Sequence, residues 1–283
     1  MSFSEFYLSL PTLIDPIVFS IGSFGIRWYS ISYLIAFFIV IILVKVRISR
    51  GENDTGIKWD DIFDFLIYLF IGIIVGARIG YAFFYNFEYF LDNPLNIFYP
   101  VSDLGGFSGL YGMSFHGGII GFLLVWLWYS FYKKVDRWRL VDFVVPAIPA
   151  GYFFGRIGNF LNGELYGRIT KSFLAMDFGD GSLRHPSQLY EAFFEGLVLF
   201  SVLWFLRNRM ESKRGLLSLL FLGGYSFFRF FVEFFREPDA HIGLVWGILT
   251  MGQVLSFSVF FLCFIFYKVR NYAIISKERD FEL

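Results

Sequence analysis

Gly155-Arg156-Ile157-Gly158-Asn159-Phe160-Leu161-Asn162-Gly163-Glu164-Leu165-Tyr166-Gly167-Arg168 begins inside an apolar run and carries a cation and an amide there. A charge in lipid is costly and needs a reason. A second apolar run answers it with Tyr225, Arg229, Glu233 and Arg236, so two membrane helices offer a matched set of cations and carboxylates. Outward from these runs, the 283 residues are 57% hydrophobic and 23% aromatic, with 41 Phe and only 17% charged residues. That is far from soluble averages and implies an all-α integral membrane protein, one polytopic domain over 1–283. Lys+Arg and Asp+Glu both total 24, so net charge points to neither nucleic acid nor acidic substrates, and placement of the charges carries the information. The single Cys263 excludes an internal disulfide and reads as a small buried hydrophobe. No Lys or Arg precedes Arg27, so the basic region of a secretory signal is missing and the first helix is expected to stay.

Runs long enough to cross a bilayer, about 20 residues, lie near 26–46, 62–86, 116–133, 140–162, 187–206, 215–236 and 247–267. Seven helices are expected. Lys45, Arg47, Arg50 and Lys58 follow the first, residues 87–115 hold no Lys or Arg, and Lys133, Lys134, Arg137 and Arg139 follow the third. Arg207, Arg209, Lys213 and Arg214 follow the fifth and Lys268, Arg270, Lys277 and Arg279 the seventh. The positive-inside rule then puts the N-terminus outside and the C-terminus in the cytoplasm. The gap after span four, with Arg168, Lys171 and Arg184, is the exception, and it falls in the opening stretch. Glycines at four-residue spacing (Gly72, Gly76 and Gly80; Gly117 and Gly121; Gly151 and Gly155) read as close helix packing rather than ligand contacts. Residues 87–115 read as an interfacial arm and 163–186 as a small outside cap.

Helix rise is about 1.5 Å per residue, which places Arg156 roughly 9 Å below the outer surface and Arg229 at a similar depth. Arg78, Tyr29 and His116 sit near the outer ends of their spans, so five helices deliver polar groups to one outer-leaflet layer. Tyr225, Arg229 and Glu233 are spaced i, i+4, i+8 with Arg236 three further on, one stripe on which Arg229 and Glu233 can pair. Such pairs also serve simply to hold helices together. Arg156, Arg229, Arg236 and Arg78 outnumber the nearby Glu164 and Glu233, and that cationic surplus invites an anion that planar guanidinium groups bind bidentately. Asn159, three residues after Arg156, is placed to orient it, to bind a ligand, or to make an interhelical hydrogen bond. Gly163 and Gly167 read first as shapers of the helix exit. Tyr29 and Tyr225 fit an interfacial aromatic belt equally, but both lie at the depth of the arginines and read as part of the site. His116, flanked by Gly117 and Gly118, is the candidate general base, with a capping or loop histidine as the competing reading. His185-Pro186-Ser187-Gln188-Leu189-Tyr190-Glu191 starts span five at the same outer level and reads equally as part of the polar layer or as a helix start, with Ser187 as cap and Glu191 satisfying backbone donors.

Gly106-Phe107-Ser108-Gly109 mimics an intramembrane serine protease motif but lacks its helical setting. Three His and one Cys, scattered, offer no metal-ligand spacing, and no phosphate-binding loop or dinucleotide fingerprint occurs, so no metal or cofactor is expected. Asn53-Asp54-Thr55 is a glycosylation sequon on the expected cytoplasmic side. A transporter or flippase for anionic lipid head groups is the runner-up. Against it, the polar layer lies at the outer end rather than the midplane, and no inverted repeat is present.

Gly155 to Arg168 resembles the signature of the bacterial prolipoprotein diacylglyceryl transferases. Arg27-Trp28-Tyr29, Gly76-Ala77-Arg78, His116-Gly117-Gly118, His185-Pro186-Ser187-Gln188 and Tyr225 through Asp239 occur in that family's order. The resemblance implies a seven-span enzyme of the bacterial inner membrane, working at its periplasmic leaflet. It moves a diacylglyceryl group from phosphatidylglycerol to the lipobox cysteine of a preprolipoprotein and releases glycerol phosphate. The residues it marks are Tyr29, His116, Arg156, Asn159, Glu164, Gly167, Tyr225, Arg229, Glu233 and Arg236.

Overall fold

Inside lipid each backbone donor and acceptor must find its partner within the segment, so long apolar runs become helices. The protein, seen as a computed structural model, is described over residues 3–21, 24–52, 58–98, 112–210, 213–238, 243–245 and 247–281. Its helices are α1 (Phe3–Leu13), α2 (Trp28–Ser49), α3 (Trp59–Tyr85), α4 (Phe87–Asp92), α5 (Phe115–Lys133), α6 (Arg137–Val144), α7 (Ile148–Leu161), α8 (Ser187–Glu191), α9 (Leu199–Leu206), α10 (Leu216–Val232) and α11 (Met251–Phe281). A π-helix, Ala192–Val198, joins α8 to α9. Gly106 to Gly109 and Asn53 to Thr55 lie outside the described residues, as do Asp239 and residues 99–111 of the expected arm.

Among the described residues, six helices are long and apolar enough to cross a membrane: Trp28–Ser49, Trp59–Tyr85, Phe115–Lys133, Arg137–Leu161, Ser187–Arg209 and Met251–Arg270. The architecture is that of a multi-pass helical membrane protein. The run expected over 215–236 is helical for only 17 residues, because the chain turns after Val232. There the Phe235 carbonyl accepts the Arg168 N–H at 2.9 Å instead of continuing the helix. α6 and α7 are separated by a tight turn, Val145–Ala147, containing Pro146, and Pro149 opens α7. Proline has no N–H to give a continuing helix but fits a first turn. Helix α1 was not foreseen. Its Tyr7 hydroxyl donates to the Leu174 carbonyl at 3.2 Å.

Backbone proximity groups Met1–Phe19, Ile26–Val44 and Asp142–Leu283 into one unit, and Ser20–Gly25 and Lys45–Val141 into another. The second unit is built on α3 against α5 along the predicted glycines. A Cβ on Gly80 would lie 2.7 Å from the Gly117 Cα, and one on Gly76 would lie 2.9 Å from the Gly121 Cα. Small residues let two backbones meet where lipid gives no hydrophobic drive to association. At the other end of this seam Lys133 Nζ lies 2.5 Å from Asp61 Oδ1, and the Tyr129 hydroxyl donates to the Asp61 carbonyl. Gly117→Leu is expected to cost about 3 kcal/mol or more, since the new side chain has only backbone to displace. Thermal unfolding in detergent reads this, and an unchanged midpoint would show that α3 and α5 are not in backbone contact.

In the first unit, α7 packs on α2 through Gly151 and Gly158, where a Cβ would come 3.0 Å from the Ala36 carbonyl and 2.6 Å from Ser32 Cβ. Gly155 does not share this role, because a Cβ there meets nothing within 4 Å. The start of α10 is capped from a distance. Buried Asp142 accepts from the Gly215 and Ser218 N–H groups at 2.5 and 2.8 Å and from the Ser218 hydroxyl at 2.5 Å. Those are donors a helix leaves unpaired at its N-terminus. Gly215 takes φ 76°, a left-handed conformation that glycine adopts without strain.

Candidate active site

Helix α7 carries Tyr152, Arg156 and Asn159 at spacings of four and three, hence on one face. Helix α8 and the π-helix bring Glu191 and Glu195, and α10 with its following turn brings Tyr225, Arg229, Glu233 and Arg236. Glu191 is the hub. Its Oε2 lies 2.7 Å from Arg156 Nε and 3.1 Å from Arg229 Nη1, while Oε1 accepts from Arg236 Nη1 at 3.3 Å. A buried carboxylate is tolerated only when paired in this way. Glu195 is also buried; its Oε2 accepts from the Tyr152 hydroxyl at 2.5 Å and its Oε1 lies 3.9 Å from Arg229 Nη1.

The rest of the opening stretch joins the same network. Arg156 Nη1 donates to Asn159 Oδ1 at 3.2 Å, and Asn159 Nδ2 donates to Glu164 Oε1 at 2.8 Å. Of the readings open for Asn159, orienting Arg156 is therefore a contact the fold makes. Arg229 Nη2 lies 3.1 Å from Glu233 Oε2, the foreseen i, i+4 pair. Glu233 Oε1 accepts from the Thr250 hydroxyl at 3.1 Å, and the carboxylate rests on the first turn of α11, where a Cβ on Gly252 would lie 2.6 Å from Oε1. A helix N-terminus favours a negative group there. Tyr225 meets the Tyr152 ring edge-on at 5.7 Å, and the Tyr29 Cα lies beside Gly158.

Arg236 reaches the cluster from a strand-like bridge with Gly167 rather than from helix α10, which corrects the single-helix stripe. Gly167 is needed for that bridge: its N–H donates to the His185 carbonyl at 2.8 Å, and a Cβ would press on that carbonyl and on the carbonyl of Phe235. The backbone reading of Gly167 therefore holds. A helix does start within His185 to Glu191, at Ser187, but Ser187 is not its cap and Glu191 faces arginines rather than backbone donors. Pro186 occupies the cap position without a side-chain cap, the Ser187 hydroxyl donates to the Leu165 carbonyl at 3.1 Å, and Gln188 Nε2 donates to the Glu164 carbonyl at 2.6 Å. The motif ties span five to the opening stretch. Burial pushes the His185 imidazole below its ordinary pKa, and its Nδ1 lies 3.1 Å from the Tyr190 hydroxyl.

The expected cationic surplus is also overturned. Arg156, Arg229 and Arg236 face Glu191, Glu195 and Glu233, with Glu164 attached through Asn159. What the cluster has instead is a difference in burial. The Glu191 and Glu195 side chains are 0% exposed and Glu233 7%, against 16% for Arg156 and 14% each for Arg229 and Arg236. The carboxylates are thus the more deeply buried side of the cluster and the arginine side chains the less buried one.

Arg78 and His116 belong to the second unit. Arg78 donates to the carbonyls of Ile97 at 2.6 Å, Asn96 at 3.0 Å and Gly112 at 3.2 Å, fastening the chain after α4. His116 stands exposed on the first turn of α5, whose cap is Ser114, its side chain accepting from the Gly117 N–H at 3.3 Å.

A family model described as prolipoprotein diacylglyceryl transferase matches residues 16–269. The chain belongs to the prolipoprotein diacylglyceryl transferase family. It is similar to proteins named phosphatidylglycerol–prolipoprotein diacylglyceryl transferase: 47% identical to that of Chlorobaculum tepidum over 91% of this chain and 90% of the relative. With that of Aliivibrio salmonicida it shares 46% identity over 89% of this chain and 86% of the relative. With that of Bordetella parapertussis it shares 46% over 86% and 90%. In this diacylglyceryl transferase, Tyr152, Glu191 and Glu195 are the network members that sequence reasoning missed. The signal was present. Two acids four residues apart inside the apolar run 187–206 carry the same cost in lipid as Arg156 does.

Proposed function

We propose that this chain transfers the sn-1,2-diacylglyceryl group of phosphatidylglycerol to the lipobox cysteine thiol of a preprolipoprotein, forming a thioether and releasing glycerol phosphate. The observation that carries the reading is the gathering of three arginine side chains around the fully buried carboxylate of Glu191. The thiol, with an ordinary pKa of about 8.5, must become a thiolate. His116 takes that proton. The thiolate attacks the glyceryl carbon bonded to phosphate, the C–O bond breaks, and the electron pair leaves on the phosphate oxygen. The departing phosphate needs no proton, so the demand is to stabilise its growing negative charge. Arg156 and Arg229 meet it, Arg236 and Arg78 contribute to lipid binding, and Glu164, Glu233, Tyr29 and Tyr225 hold the arginines.

The setting is the bacterial inner membrane, with seven spans, the N-terminus outside and the reaction at the periplasmic leaflet. Residues 87–115 serve there as an interfacial arm and 163–186 as a cap. Enclosure in lipid keeps water from competing with the thiolate.

Purified protein in vesicles of radiolabelled phosphatidylglycerol is expected to label a lipobox peptide covalently. Lipid that crosses the vesicle without peptide labelling would replace this reading by a lipid transporter. His116→Ala is expected to lower the rate about 10²–10⁴-fold, the usual contribution of a positioned base. A variant that keeps most of its activity would move the base to another residue.

A further inference from the structure

We propose that Tyr152 and Glu195 are a positioning pair that fixes the guanidinium of Arg156 and acts through it on the lipid phosphate. The inference rests on the reading that Arg156 faces that phosphate, and it concerns two residues which that reading leaves without a role.

The Tyr152 hydroxyl has one hydrogen to give and three polar atoms around it. Glu195 Oε2 lies at 2.5 Å, Glu191 Oε2 at 3.3 Å and Arg156 Nε at 2.8 Å. The hydrogen goes to the nearer carboxylate, Glu195, which leaves an oxygen lone pair for the Arg156 N–H. Glu195 thereby sets the direction of the tyrosine hydroxyl, and the hydroxyl helps set that of the arginine. Glu191 Oε2, 2.7 Å from the same Nε, supplies charge but is shared with Arg229 at 3.1 Å, while its Oε1 accepts from Arg236.

A guanidinium is planar, so fixing two of its nitrogens fixes the third. Nε is held by Tyr152 and Glu191, and Nη1 by Asn159. Nη2 has no hydrogen-bond partner among the described residues and is not among their buried unpaired atoms. It is the nitrogen that the scaffold aims outward. The Tyr152 ring adds a second constraint, with the Arg156 Cζ 4.9 Å from its centroid.

Local backbone explains how Glu195 comes to this place. It lies in the π-helix Ala192–Val198, a rare winding that concentrates at functional sites. Its neighbour Gly196 sits so close to α7 that a Cβ would fall 2.8 Å from Phe153 Cβ and 2.9 Å from Phe153 Cα. That contact seats the π-helix beside Tyr152, and one hydroxyl reaches both Glu191 and Glu195.

The test is steady-state transfer by the full chain in phosphatidylglycerol vesicles with a lipobox peptide. Wild type, Tyr152→Phe, Glu195→Gln and the double variant are compared, each with a thermal unfolding midpoint. Each single change is expected to lower kcat/KM for phosphatidylglycerol roughly tenfold, the worth of one hydrogen bond to a charged group. KM for the peptide stays at the wild-type value. The unfolding midpoint of Tyr152→Phe falls because Glu195 loses a donor, but the variant stays folded at the assay temperature, so the rate loss exceeds any loss of folded protein. The double variant is no slower than the slower single variant, because one chain is broken once.

Wild-type kcat/KM in Tyr152→Phe would overturn the pair, as would fully additive losses in the double variant or losses that only track the folded fraction. If Glu195→Gln does not accumulate folded, Tyr152→Phe, which removes one oxygen, decides alone. A wild-type protein that transfers nothing would refute the proposed function, and this inference with it. An active wild type with an equally active Tyr152→Phe would refute the inference only.

Discussion

Glu191→Ala is expected to abolish measurable transfer and to cost about 3–5 kcal/mol of stability, the scale for removing one partner of a buried ion pair. The reason is the number of cations that share this one carboxylate. Arg156, Arg229 and Arg236 approach it at 2.7, 3.1 and 3.3 Å, and its side chain is fully buried. Without it three guanidinium groups from two helices and a turn repel one another in a medium that screens little. The remaining carboxylates compensate only in part, since Glu233 stays 3.1 Å from Arg229 but, among the described residues, Arg156 is paired with no carboxylate other than Glu191. Glu195 is 3.9 Å from Arg229, and Glu233 is 4.0 Å from Arg236. Glu191→Gln keeps the volume but points an amide N–H at an arginine, so it is expected to fall between alanine and wild type. The measurement is the unfolding midpoint in detergent beside the transfer rate. An alanine variant with the wild-type midpoint would show that the hub carries no structural load.

Arg229→Ala carries the second large effect, a fall of about 10²–10³-fold in transfer, the magnitude seen when one preorganised donor to a developing anion is lost. Arg229 differs from Arg156 in how it is held. Its Nη1 is buried without a hydrogen-bond partner although it lies 3.1 Å from Glu191, so its charge is balanced while its donor is not satisfied. Arg229→Lys keeps the charge but loses the planar fork, and is expected to recover only part of the rate. Because Glu191 keeps Arg156 and Arg236 in the alanine variant, the stability loss is expected to be smaller than for Glu191→Ala. Full transfer by Arg229→Ala would remove it from the phosphate.

Much of this molecule was legible in the order of its residues, for reasons that are local. An apolar run becomes a helix wherever it sits, which is why the ends of α3 and α5 fall within a few residues of the runs 62–86 and 116–133. Glycines four apart mark a face, and Gly72, Gly76 and Gly80 meet Gly117 and Gly121 as that face requires. The rule has limits: Gly155 has the spacing without the neighbour. Spacing also gave the Arg229–Glu233 pair and the contact of Arg156 with Asn159, both within one helix or its end.

The elements that failed are those whose partner comes from elsewhere in the chain. Ser187 looked like a helix cap, yet its hydroxyl goes to Leu165, 22 positions away in sequence. Arg236 looked like one more turn of α10, yet backbone pairing with Gly167 stops the helix first.

By itself the sequence determined that this is a helical membrane protein with a polar site at Arg156 and Arg229, because the cost of charge in lipid depends only on the run in which it lies. Only the tertiary structure decided what balances that charge. Whether Glu191 and Glu195 face Arg156 or lipid depends on how span five is rotated and seated against α7. That rotation is set by close contacts such as Gly196 on Phe153 rather than by the composition of either run. An apparent excess of cations thus became a network in which buried carboxylates face the arginines, because in a low dielectric the opposite charges must be in contact.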